Sequence, residues 1–214
     1  MQRFIPQLGK ALQQPLPGVE AQLKLAHGSR KELRGHPSNA RKAAVLALFF
    51  PKETDWHLAL IQRAAHDKDR HSGQISFPGG RHESADPDFR FTALRETEEE
   101  IGVKAENINI LGDLSSLYIP VSNFLVHPYV GFVDFTPTFQ PEPSEVDQVL
   151  ELPFFEFLKE QSIGKTTLLL PNQIQLKDVP HFKIKDHVIW GATAMMMSEL
   201  VTVAQSVANY IPSR

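Results

Sequence analysis

The sequence predicts an α/β fold built on a mixed β-sheet. Three observations point there. Lys42 to Phe50, KAAVLALFF, is a continuous apolar run stopped by Pro51, the pattern of a buried strand. Strand-like and helix-like stretches then interleave along the chain. Several of the joins are too short for a crossover helix, so neighbouring strands must run in both directions.

Taken in order, Phe4, Ile5, Leu8 and Leu12 have one-sided helical spacing, and Pro15 and Pro17 end that amphipathic helix. Gln22 to Pro37 reads as irregular and carries the basic group Arg30, Lys31 and Arg34. Residues 1–39 therefore form an N-terminal helix with an irregular extension, and 40–214 the main domain. After the first strand, Trp56 to Ile61 and Gln74 to Phe77 supply two more. A helix spans about Asp88 to Ile101, with Asp86 and Asp88 near its positive end. Gly102 is placed as its stop. Ile108 to Leu117, Leu125 to Val133 and Gln148 to Leu152 are further strands, the last running into a short helix at Phe154 to Lys159. Thr166 to Leu170 and Val179 to Trp190 complete the β content. Gly191 to Ala208 closes the chain as a helix whose Met195, Met196 and Met197 are core filling.

Composition narrows the function. A chain of 214 residues suits one domain with peripheral elaborations. Its net charge of −3 argues against a nucleic-acid surface, which leaves a basic footprint. A small phosphorylated ligand stays open, because a metal ion can bring the positive charge locally. The absence of cysteine excludes disulfides, thiolate catalysis and cysteine-held zinc, and suits a reducing cytoplasm. No stretch reaches the ~20 apolar residues of a membrane span, and the N-terminus has no apolar core of signal-peptide length. The expectation is a cytoplasmic protein, free of nucleic acid and membrane, for which a homodimer is allowed but not demanded.

The most informative stretch runs from Ser76 to Val103, SFPGGRHESADPDFRFTALRETEEEIGV. Behind Arg95 stand Glu96, Glu98, Glu99 and Glu100. At about 100° per residue, Glu96 and Glu100 lie within about 40° of each other and Glu99 about 60° to the other side. Glu98 points about 160° away, beside Leu94, Thr97 and Ile101. Like charges at such spacings repel, and a solvated acidic face is the bland reading of such a run. Two details favour a site instead. Arg95 precedes Glu99 by four, the weaker order for a helix-supporting pair. The Gly79-Gly80 pair behind Phe77-Pro78 marks a turn where backbone comes close to something. Hard cations such as Mg²⁺ take such oxygen ligands and hold phosphates with few protein groups.

Arg95-Glu96-Thr97-Glu98-Glu99-Glu100-Ile101-Gly102-Val103 resembles the second half of the Nudix box, Arg-Glu-apolar-any-Glu-Glu-any-Gly-apolar, with Thr97 at the usually apolar place. The first half is longer than the general pattern. Asp86 lies six residues after Gly80 and nine before Arg95, a spacing similar to that of the coenzyme A-directed Nudix subfamily. Arg63-Ala64 and the run Gly73 to Gly80 resemble that subfamily's second motif, with one extra residue between them and its middle basic place on Lys68 or Arg70.

This resemblance, over roughly residues 40 to 200, implies an α/β/α sandwich and a Nudix domain over 40–214. It also implies Mg²⁺- or Mn²⁺-dependent hydrolysis of a diphosphate link in a small nucleotide. By the same resemblance Glu96, Glu99 and Glu100 are the metal ligands, Arg95 orients one of them, and Gly80 is the box glycine. Glu98 falls at a variable place. The base is not fixed by the box. Glu145, in a proline-rich loop ahead of a strand, is one candidate, and Glu96 or Glu99 are others. Arg63, Arg70 and His71 lie upstream of the Gly79-Gly80 turn, where they face phosphate or nucleotide groups in the functional reading and solvent in the plain one. The substrate most in keeping with the motifs is coenzyme A or an acyl-CoA, cut to a phosphopantetheine product and adenosine 3′,5′-bisphosphate. The alternatives are a pyrophosphatase of ADP-ribose or a dinucleotide, and a binding module without catalysis. The intact glutamate set speaks against the last.

Overall fold

In the structure, a computed structural model, β1 (Arg41–Lys52) is the strand around which everything else is arranged. The described residues are 3–28, 30, 35–64, 73–169 and 174–207. β1 alternates between two apolar cores. Ala44, Leu46, Leu48 and Phe50 face one, while Ala43, Ala47 and Phe49 face the other. That two-sided burial is why this segment reads as an unbroken apolar run.

On one edge β1 runs parallel to β7 (Phe124–Phe132), from Arg41 opposite Phe124 to Phe49 opposite Phe132. On the other it pairs antiparallel with β2 (Asp55–Arg63), from Lys52 opposite Asp55 to Leu48 opposite Ala59. Beyond that point the two strands part, and the segment from Ile75 to Arg81 fills the gap. Its first piece, β3 (Ile75–Ser76), pairs with β2, and its second, β4 (Gly79–Arg81), pairs with β1. The strand expected at Gln74 to Phe77 is thus the two-residue β3, and a second short strand, β4, follows beyond Phe77-Pro78. Proline cannot donate to a ladder, but its carbonyl accepts from Leu46 N–H at 2.9 Å. The sheet is completed by β8 (Val146–Pro153) beyond β2 and by β5 (Asn109–Asp113) and β6 (Leu117–Ile119) on β7. It is a mixed sheet, as its short joins demanded.

Helices cover both faces. On one, α3 (Phe89–Ile101) contributes Ala93 and Ile101 to the core. On the other lie α1 (Phe4–Leu12) and α4 (Gly191–Gln205), with Phe4, Leu8, Met195, Met196 and Met197 buried together. A separate three-stranded sheet of β9 (Ile163–Leu169), β10 (Gln175–Ile184) and β11 (His187–Trp190) leads into α4. β10 and β11 form a hairpin whose turn residue Lys185 has φ +54°. The short helix expected at Phe154 to Lys159 is a 3₁₀ turn over Phe154–Leu158.

Two further expectations need correction. Gly18–Leu23 is a helix, α2, in a region read as a proline-ended stop followed by loop. Six residues are too few for a periodic signal, and α2 is held by packing, with Ala21 and Gln22 buried. The single strand expected over Ile108 to Leu117 is β5 and β6 with a break. At that break the Ser115 N–H goes to the Glu199 carboxylate and its carbonyl to Gln22 Nε2, not to a strand. Side-chain partners took the place of a ladder. Among the described residues no helix is long and apolar enough to cross a membrane.

Candidate functional site

The site is built where α3 meets β4. Asp88 caps the helix, its Oδ1 accepting the Phe91 N–H at 2.7 Å, and Gly102 ends it in the left-handed conformation with φ +73°. The stop stands where the sequence put it and the helix starts beside Asp88, so the helical register of the glutamates is fixed.

That register separates the four acids. Glu100 is buried, and its Oε2 accepts the Gly79 N–H at 2.8 Å. Glu96 is half-buried, with its carboxylate in the space that a Cβ on residue 80 would fill. Gly80 is therefore required by close approach. Gly79 is required by conformation as well, since φ is +146° and a Cβ there would strike the Ala44 carbonyl and Val45 backbone. Glu99 is exposed. Glu98 takes a different job: its carboxylate accepts the Ala105 N–H at 2.9 Å and pairs with Lys104 at 2.7 Å. Those bonds, the backbone one first, hold its pKa below the usual carboxylate range. It stabilises the turn after α3.

Arg95 is the organiser. Its Nε and Nη2 donate to the two oxygens of Asp86, each at 3.0 Å, and Nη2 also reaches the Arg81 carbonyl at 3.2 Å. Its Nη1 lies 2.9 Å from Glu96 and 2.7 Å from Glu99. A two-pronged bond of this kind fixes a planar guanidinium in direction as well as place. Asp86 is buried and also accepts from the Glu83 N–H and the Thr92 hydroxyl, at 3.0 and 2.9 Å. The Arg95 hydrogen bonds, above all, hold its carboxyl well below the usual range, and Asp86 in turn raises the guanidinium.

Glu96 and Glu100 are pushed the other way. Burial raises Glu96, with Arg95 acting against the rise and Glu99 and Glu145 adding to it. Burial raises Glu100 to about 8, against the Gly79 N–H and Arg63, with Glu96 and Glu145 adding to it. Glu145 is thereby placed near both, although it belongs to the loop before β8, where its carbonyl accepts the Ala64 N–H at 2.8 Å. Arg63, at the end of β2, lies 3.9 Å from the Glu100 carboxylate. The structure thus brings together Glu96, Glu100, Arg95, Arg63, Glu145, Gly79 and Gly80. Arg70 and His71 lie outside the described residues.

The donor set fits a hard divalent cation. It consists of carboxylate oxygens, and the half-buried Glu96 disfavours charge on the buried Glu100, a cost that a cation relieves. Among the described residues, however, no three His, Asp or Glu side chains are already gathered into a cage. Asp86 and Thr92 are the members that sequence reasoning left out of the site. The unusual nine-residue interval between Asp86 and Arg95 was the visible signal for the first; Thr92 had none.

A family model described as the NUDIX domain matches residues 40–169. "Nudix hydrolase 22, chloroplastic" of Arabidopsis thaliana is 32% identical over 169 residues, which cover 76% of this chain and 55% of that protein. The chain thus spans about half the length of this plant relative. "Mitochondrial coenzyme A diphosphatase NUDT8" of Homo sapiens is 32% identical over 174 residues, covering 81% of this chain and 72% of that one. A crystal structure of a MutT/nudix family protein from Enterococcus faecalis shares the fold, with a TM-score of 0.50 at 18% identity over 83% of this chain and 65% of that chain. The chain belongs to the Nudix hydrolase family, enzymes that act on diphosphate-containing substrates.

Proposed function

We propose that this chain hydrolyses the diphosphate link of coenzyme A or an acyl-CoA with Mg²⁺ or Mn²⁺, giving a phosphopantetheine product and adenosine 3′,5′-bisphosphate. The observation that carries the reading is the meeting of Glu96 and Glu100 with the Gly79-Gly80 turn, under an Arg95 pinned by Asp86. In this proposal Glu96, Glu99 and Glu100 hold the cation. When bound, it supplies neutralisation of the diphosphate oxygens and acidification of a water.

The chain's own groups do the rest. Arg95 keeps Glu96 and Glu99 from drifting apart, a partner's role that typically matters 10–100-fold in metal sites, to order of magnitude. Gly79 and Gly80 keep side chains out of the space beside the carboxylates. Glu145 is the loop carboxylate nearest to taking a proton from water, with Glu96 or Glu99 as the other candidates. Arg63, 3.9 Å from the Glu100 carboxylate, faces substrate phosphate in this proposal. Support for coenzyme A comes from the Arg63-Ala64 and Gly73-to-Gly80 segments and from the human relative whose name carries that substrate. A cysteine-free chain suits a reducing compartment, and we place it in the cytoplasm.

The test is one activity panel with Mg²⁺ and with Mn²⁺, against coenzyme A, dephospho-CoA, ADP-ribose, dinucleotides and nucleoside triphosphates. Coenzyme A cleaved faster than dephospho-CoA supports the proposal. Equal rates on the two, or faster cleavage of ADP-ribose, transfer the assignment to another nucleoside diphosphate derivative. Cleavage of nothing in the panel leaves a binding module.

A further inference from the structure

We propose that His82 and Thr92 are positioning residues that form a directed hydrogen-bond relay onto Asp86 and, through it, hold Arg95 in place. The inference rests on the hydrolase reading only for its kinetic consequence. Thr92 is fully buried, and its Oγ1 lies 2.9 Å from Asp86 Oδ2, 3.2 Å from the Asp88 carbonyl and 2.8 Å from His82 Nδ1. A hydroxyl has one proton and three neighbours here. The carboxylate is charged and nearer than the carbonyl, so it takes the proton. Thr92 then has only lone pairs to offer His82, and His82 must donate from Nδ1. The opposite order would set a lone pair of Thr92 against the carboxylate of Asp86. His82 Nδ1 also lies 3.7 Å from Asp86 Oδ2, and a proton on Nδ1 points positive charge that way.

The imidazole is held for this task from its other side. Its ring meets Phe89 edge-on at 4.8 Å, and Phe89 stacks on His127 at 4.0 Å with an interplanar angle of 5°. Phe89 is the first residue of α3. The relay therefore ties β4's exit, the start of α3 and the Asp86 turn into one unit, and Arg95 reads its position from that unit. With Thr92 and Arg95 both bonded to Asp86 Oδ2, loss of the relay lets the carboxylate rotate and the guanidinium follow.

Two measurements on the full chain test this. The first needs neither metal nor substrate. Long-range ¹H–¹⁵N spectra of the histidines at a pH where they are neutral should show His82 as the Nδ1–H tautomer, and Thr92→Val should abolish that preference while shifting the Arg95 Nε–H resonance. The second is kinetic. His82→Phe keeps the ring and removes the donor, and Thr92→Val removes the hydroxyl. Each should lower kcat about tenfold with KM little changed, and the double variant should lose no more than either alone. His82→Asn, which returns an N–H to the place of Nδ1, and Thr92→Ser should restore most of the rate. A bare Nδ1 on His82 overturns the relay. So does an unaltered Arg95 resonance, or additive losses without rescue. If the wild-type chain cleaves no diphosphate compound, the hydrolase reading fails, and the tautomer and the Arg95 resonance still decide the relay.

Discussion

Arg95 sits among three carboxylates, and its geometry decides what each can do. Its neighbour Glu99, four residues on, makes a close pair, yet the bidentate bond runs to Asp86. Helix support was a poor explanation for this arginine, and the structure supplies the better one. The register gives the sharpest test. Glu96→Gln, Glu99→Gln and Glu100→Gln should each reduce kcat by about a hundredfold or more, the scale on which groups aimed at reacting charge matter, with circular dichroism unchanged. Glu98→Gln should leave kcat nearly intact. A large loss for Glu98→Gln beside a near-normal Glu99→Gln would refute the assignment. Asp86 makes a separate prediction in acid. Its folded-state acidity is strengthened by Arg95, so its contribution to stability is present above the unfolded value of about 3.9 and disappears as pH falls through the lower folded value. Urea denaturation from pH 6 down to pH 2 should show stability falling with acid, and Asp86→Asn should start lower and fall less steeply. Equal slopes for the two proteins would remove Asp86 from the account.

At the scale of elements, α3 was legible because its signals are local. Asp88 at its start, Gly102 at its end and the glutamate spacing all lie within one stretch of chain, and each was found in the expected place. β3 and β4 were not legible as a pair. They exist because β1 and β2 diverge after Leu48 and Ala59, leaving room for an inserted segment, and no residue within Gln74 to Arg81 announces that divergence. The glycines were seen, but not what they make room for. Their separate duties can now be told apart. Gly80→Ala sets a methyl into the Glu96 carboxylate and should lower activity about tenfold or more, the outer-shell scale, while the protein still folds, since a side chain can give way. Gly79→Ala presses a methyl against the backbone of β1 at an unfavourable φ and should lower the unfolding midpoint. Thermal unfolding alongside kcat separates the two effects. Asp88→Ala, which removes only the cap, should cost about 1 kcal/mol of stability in denaturant titration and little activity.

For the molecule as a whole, sequence drew a line after residue 39, because the first stretch has its own helix and then loses its pattern. Phe4, Ile5, Leu8 and Leu12 lie in the same apolar cluster as residues of β1 and α4. The tie is polar as well. Glu199 of α4 is fully buried, with Oε1 accepting from the Gly18 N–H at 3.1 Å and the Ser115 N–H at 3.3 Å, and Oε2 from Gln22 Nε2 at 2.8 Å. Such long-range pairing, across 181 residues in the case of Gly18, leaves no trace in local periodicity. One carboxylate thus joins α2, the break between β5 and β6, and the last helix. Glu199→Ala would leave the Gly18 and Ser115 N–H groups without their acceptor and take one of two acceptors from Gln22 Nε2, and each buried unpaired group costs about 1–3 kcal/mol. The expected net loss is about 2 kcal/mol or more in denaturant unfolding. Glu199→Gln keeps an acceptor oxygen and should lose less. Because Glu199 lies on the opposite face from α3, neither change should alter KM or the metal requirement. A Glu199→Ala protein as stable as wild type would show that the N-terminal helices are held by apolar contact alone.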